Sequence, residues 1–153
     1  MNEETKQLEA RVKPLVAEVA KSQSIDFEPK SSSVLRQYYE HDETARFIFD
    51  SFITTSTSYQ DCGGFVLTNP EQLEQYYAES SSRRNELIDN KIFVFALDGD
   101  GSFFAFGLET RKFYHFDSSP WVDDEAKWNE CLSEEWDTNG FCDFFEEEFA
   151  ANS

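Results

Sequence analysis

Apolar positions along this chain change their period several times, and each change marks an element. Leu8, Val12, Leu15, Val16 and Val19 recur at helical spacing, which predicts an amphipathic helix over residues 3–22. Pro14 falls inside it, where the ring removes a hydrogen bond and crowds the preceding turn. The helix is therefore expected to kink there, or a second helix opens at Pro14 and runs to about Ala20. The polar, turn-rich residues 22–33 read as a loop or hinge. A second helical region is expected from Val34 to about Phe52. Leu35, Tyr38, Tyr39, Phe47, Ile48 and Phe52 would face inward, with a break near His41-Asp42.

The Thr/Ser run from Ile53 to Gly64 ends that helix as an irregular loop or a short strand, and Phe65-Val66-Leu67 reads as a short strand. Asn69-Pro70-Glu71-Gln72 is a helix start, with Asn69 as cap and Pro70 at the first position. Leu73, Tyr76 and Tyr77 would face inward, and the SSSRRN stretch should close this helix. From about Lys91 to Asp117, Phe-rich runs flank Asp98-Gly99-Asp100-Gly101, and another follows Glu109-Thr110-Arg111. Asp-Gly pairs supply the positive-φ positions of a tight hairpin, so the segment predicts a three-stranded antiparallel meander. Both alternating sets are apolar in Phe103-Phe104-Ala105-Phe106, which predicts a central strand covered on both faces. Two more helices are expected, roughly Asp123 to Glu135 and Phe141 to Ala150, the latter with Phe141, Phe144, Phe145 and Phe149 as its stripe. The predicted class is a single α+β domain, an antiparallel sheet with several helices packed against it. Residues 1–33 would form an N-terminal helical segment and hinge, and 34–150 the core.

Composition agrees with a folded domain. The chain has 153 residues, and its 16 Phe provide enough apolar volume for a substantial core. No apolar run reaches membrane-spanning length, and MNEETKQLEARVK carries charge at once with no apolar leader core. Cys62, Cys131 and Cys142 are odd in number and lack ligand or CxxC spacing, as expected of free thiols in a reducing, cytoplasmic setting. Charge changes the picture most. The formal net charge is −18, and Asp117 to Ser153 holds twelve acids against Lys127 alone. Such a surface keeps a protein soluble and steers it toward a basic partner. It disfavours direct nucleic-acid binding, because adjacent basic residues are limited to pairs such as Arg83-Arg84 and Arg111-Lys112.

Chemistry is sparse. Asp98-x-Asp100-x-Ser102 with Glu109 has the outline of a calcium loop, but Phe103 stands where that loop needs glycine, so a hairpin turn is the better reading. His41 and His115 are the only histidines, and there is no nucleophile elbow or phosphate-binding glycine loop. No catalytic residue, metal or cofactor is expected.

Several short motifs appear in a fixed order. Gly63-Gly64 precedes the strand Phe65-Val66-Leu67, and Asn69-Pro70-Glu71-Gln72-Leu73 opens a helix. Phe95-Ala96-Leu97-Asp98-Gly99-Asp100-Gly101 ends a strand in a DG-G turn, followed by Phe104-Ala105-Phe106 and Phe113-Tyr114-His115-Phe116-Asp117. Phe141-Cys142-Asp143-Phe144-Phe145-Glu146-Glu147 has the form of a closing F-x-x-F-x-E helix. Over about residues 35–150 this set resembles the SUKH superfamily, the group around the yeast cell-wall-synthesis regulator and many bacterial immunity proteins. The family's acidic E-x-x-L-G-x-x-L-P opening has no counterpart here.

The resemblance implies a non-catalytic protein-binding domain, typically a cytosolic immunity factor that neutralises a cognate toxin. The expected partner is a basic toxin domain such as a nuclease, met by a monomer or weak dimer, with no membrane or direct nucleic-acid contact. Asp123, Asp124, Glu125, Glu134, Glu135 and Asp137 are the candidate charged rim, and Trp121, Trp128 and Trp136 the candidate anchors. The alternative function is an acidic mimic of nucleic acid that blocks a DNA-binding protein. A mimic should space its carboxylates along one face, whereas here they crowd toward one end of the chain.

Overall fold

A computed structural model describes residues 1–22, 35–53, 60–62, 65–67, 70–78, 81–98, 102–117 and 128–152. The N-terminal helix begins at α1 (Glu3–Gln7), where the Asn2 side chain accepts from the Thr5 amide. It passes through one π-helical turn, Leu8–Val12, into α2 (Lys13–Ser22). The Lys13 amide donates five residues back to the Leu8 carbonyl, so the ladder is already widened where the Pro14 ring enters. Both readings of Pro14 therefore merge, since a new α-helical segment starts there without a break in the chain's helical course. Leu8, Val12 and Val16 are buried along one stripe.

The second helical region is broken where the sequence places the break. Helix α3 (Arg36–Tyr39) stops short of His41, and α4 (Glu43–Phe52) starts on Asp42, whose side chain accepts from the Ala45 amide at 2.9 Å. Ala45, Ile48, Phe49 and Phe52 of α4 are buried.

Among the described residues, six strands form one antiparallel sheet in chain order: β1 (Gln60–Cys62), β2 (Phe65–Leu67), β3 (Ile92–Asp98), β4 (Phe103–Gly107), β5 (Phe113–Phe116) and β6 (Leu132–Trp136). The predicted three-stranded meander is its centre. Strand β4 is buried along its whole length, as its doubly apolar pattern requires. On one face Phe95 meets Phe52 of α4 at 5.0 Å between centroids, and Phe113 stacks on Phe141 at 4.1 Å. Phe141 belongs to the last helix, α7 (Thr138–Asn152). On the other face Tyr114 and Phe116 pack against Trp128, which lies in a short 3-10 turn, Trp128–Glu130. Of the Phe stripe, Phe141 and Phe145 are buried and Phe144 is half-buried; the Phe149 side chain lies outside the described set.

Two expectations are corrected. The SSSRRN stretch does not close α5 (Pro70–Ala78) but enters a second helix, α6 (Ser81–Asp89). Buried Leu87 and half-buried Ile88 anchor α6, which outweighs the weak helix preference of the serines. The helix expected over Asp123 to Glu135 is absent in its described part, where Leu132–Trp136 is strand β6. Leu132 and Trp136 are four apart, a spacing compatible with either a helix or a strand. The open edge of β5 decides between them, because its backbone groups need a partner.

One junction in the sheet is closed by a side chain. Strand β2 meets β3 only through Phe65–Asp98 and Val66–Leu97, so the Ile92–Val94 end has no β2 residue beside it. Tyr77 of α5 takes that place. Its hydroxyl donates to the Ile92 carbonyl and accepts from the Val94 amide, both at 2.9 Å. The ring is fully buried, and desolvation holds the phenol well above its ordinary pKa.

Candidate functional site: the acidic end of the sheet

Strand β6 ends the sheet, and among the described residues no strand pairs with its outer edge. It lies antiparallel to β5 with Phe113 opposite Trp136, Tyr114 opposite Glu135, His115 opposite Glu134 and Phe116 opposite Leu132. The register shifts between His115 and Phe116, so Ser133 is the extra, bulged residue. The bulge puts Glu134 and Trp136 on one face and Leu132 and Glu135 on the other. Each face of the edge thus carries one exposed carboxylate and one half-buried apolar side chain.

The sequence candidates separate into three groups. Trp121, Asp123, Asp124 and Glu125 lie outside the described residues. Trp128 and Trp136 are half-buried, with faces committed inward. Trp136 stacks on Phe144 at 4.6 Å and meets Phe141 at 6.1 Å, whereas Trp128 meets Tyr114 edge-on at 5.7 Å. Glu134, Glu135 and Asp137 are exposed. Asp137 also has a local task, since its Oδ1 accepts from the Gly140 amide at 2.7 Å and caps α7. Glu135 lies 3.6 Å from Lys112, an exposed pair that contributes at most about 1 kcal/mol.

Helix α7 extends the acidic surface through Asp143, Glu146 and Glu147, all exposed. From Trp128 to the end, the chain has eight acids and no Lys or Arg. Two arginines from elsewhere act as internal clamps that the sequence did not reveal. Arg11 pairs with Asp143 and Glu146 and donates to Asn139 at 2.9 Å, joining the N-terminal helix to α7. Arg111, in the β4–β5 turn with φ of +58°, pairs with Glu4 and Asp42 at 2.5 Å each. It also lies 4.9 Å from the centre of the Phe106 ring. A lone arginine, in a turn or on a helix face, gives no spacing signal, so neither clamp could be read from pattern.

Among the described residues, Ser133 and His115 are not arranged as a nucleophile and its base. The Ser133 hydroxyl donates to the His115 carbonyl at 3.0 Å and also contacts Nδ1 of the same residue. With its one proton given to the carbonyl, Ser133 accepts from Nδ1–H, the reverse of an activated serine. Burial pushes the Cys142 thiol up to about 11, with neighbouring acids adding to the shift against Arg11, so it is a poor thiolate source. Among the described residues no group of three or more His, Cys, Asp or Glu could hold a metal ion. Gly99, Asp100 and Gly101 of the calcium-like turn lie outside the described residues. A separate open cleft of about 560 Å³ is lined by Gln37, Tyr38, His41, Asp42, Ile88, Lys91, Leu108 and Glu109. Lys91 and Glu109 pair at 3.4 Å on its rim.

Fold and surface define an α+β domain: a sequential six-stranded antiparallel sheet with an open acidic edge. Among the described residues, no helix is long and apolar enough to cross a membrane. Comparison with protein-family models, curated proteins and solved structures gives no match.

Proposed function

We propose that this chain is a protein-binding domain that recognises a basic partner, in the manner of an immunity protein that neutralises a toxin. The observation that carries the reading is the acidic end of the sheet. There Glu134 and Glu135 are exposed on the last strand of the sheet, and Asp137 is exposed directly after it. Clustered like charge speeds the encounter with a surface of opposite sign, whereas affinity comes from what is desolvated on contact. Leu132 and Trp136, both half-buried, lie on the same strand as Glu134 and Glu135. The SUKH-like order of motifs supports the toxin-immunity version of this reading.

The test is co-expression with any toxin-module protein that an adjacent gene encodes. Protection of growth and a purified complex are expected. Continued toxicity with no complex at low salt rejects the immunity reading. Binding instead to a nucleic-acid-processing protein in competition with its DNA would favour the acidic-mimic alternative.

A further inference from the structure

We infer that the partner is captured by strand addition: an extended basic segment pairs antiparallel with the outer edge of β6 and becomes a seventh strand of the sheet. The inference rests on the protein-binding reading and specifies how that binding is made. Among the described residues the outer edge of β6 is unpaired, so it presents a row of backbone donors and acceptors. The side chains decide what can use that row. A second copy is the wrong occupant, because opposed residues share a face, so antiparallel self-pairing centred on the acids places Glu134 opposite Glu134 of the other copy, or Glu135 opposite Glu135. Like charges directly opposite one another are destabilising, so the edge is protected against itself.

A basic strand turns both repulsions into attractions. The alternation created by the Ser133 bulge also specifies its pattern. Read antiparallel from Trp136 to Leu132, the added strand needs an apolar residue, two consecutive basic residues and a second apolar residue. The apolar side chains would cover the exposed margins of Trp136 and Leu132, on opposite faces of the sheet. The adjacent basic side chains would meet Glu135 and Glu134, also on opposite faces.

The experiment uses the whole chain labelled for NMR and two capped synthetic peptides, one centred on Val-Lys-Arg-Val and the other on Val-Glu-Glu-Val. The basic peptide is expected to shift amide signals of Leu132 to Trp136, show cross-strand contacts to them and slow their exchange. The double variant Glu134→Lys/Glu135→Lys should weaken binding about ten-fold or more with an unchanged CD spectrum. The milder Glu134→Gln/Glu135→Gln should fall between it and the parent.

Shifts centred away from β6, or equal binding of the acidic peptide, overturn strand addition while leaving protein binding by another surface intact. No binding up to about 1 mM peptide also overturns it. The protein-binding reading fails separately, on the absence of a complex with the toxin-module protein.

Discussion

Replacing Tyr77 with phenylalanine removes one oxygen and leaves the ring, so its effect isolates the side-chain closure of the β3 ladder. In the parent, the hydroxyl satisfies the Ile92 carbonyl and the Val94 amide at 2.9 Å each. Both residues are fully buried, and without the oxygen both backbone groups lose that partner. An unsatisfied buried group costs about 1–3 kcal/mol, so the pair should cost roughly 2–4 kcal/mol. For a domain of this length that lowers the melting temperature by roughly 5–15 °C. Urea denaturation monitored by Trp fluorescence measures the loss, and hydrogen exchange at Val94 localises it.

Alkaline pH gives an independent check. Burial raises the pKa of both Tyr77 and Tyr38 in the folded state above the ordinary phenol value of 10.0. Their neutral forms therefore support the fold fully below pH 10, and that support falls as pH rises beyond it. The slope is about 1.4 kcal/mol per pH unit for each phenol, so Tyr77→Phe should flatten the decline by one such slope. A stability loss below about 0.5 kcal/mol, with an alkaline limb unchanged from the parent, would refute the role assigned to Tyr77.

Other parts of the structure give further expectations. Arg111→Ala should destabilise by roughly 1–3 kcal/mol in urea titrations, because half-buried Glu4 and Asp42 lose their shared cation. Arg111→Lys should recover less than half, since one ammonium cannot reproduce the guanidinium fork. Gly107→Ala should cost roughly 1–3 kcal/mol in thermal melts, because a Cβ there would strike Thr110 Oγ1 and lie 2.9 Å from the Tyr114 ring. Cys142, buried and with its thiol pushed up to about 11, should react with a thiol reagent at neutral pH only as fast as the chain opens. Labelling at the rate of an exposed cysteine would contradict its placement.

The meander was legible because Phe-rich runs and Asp-Gly pairs are local signals, and the break before α4 because Asp42 is a local cap. Strand β6 was not, since the four-residue spacing of Leu132 and Trp136 suits a helix, and only pairing with distant β5 makes a bulged strand that puts them on opposite faces. The same limit hid the clamps: Arg11 and Arg111 acquire meaning from partners 69 to 135 residues away in sequence. At the candidate site, Glu134, Glu135 and Asp137 were legible as charge, whereas the half-buried state of Trp128 and Trp136 is a product of packing. Composition could place the acids at one end of the chain. It could not show that two of them sit on opposite faces of one open strand.

The proposed function rests on recognition of a basic protein by this acidic edge. The most direct measurement is the association rate of the chain with any toxin-module protein that an adjacent gene encodes, by stopped flow, at about 10 mM and about 150 mM salt, where the screening length shrinks from about 30 to 8 Å. The rate should fall at least about ten-fold while dissociation changes little, and Glu134→Lys/Glu135→Lys should slow association at low salt. An association rate indifferent to both salt and charge reversal, or no association at all, would contradict it.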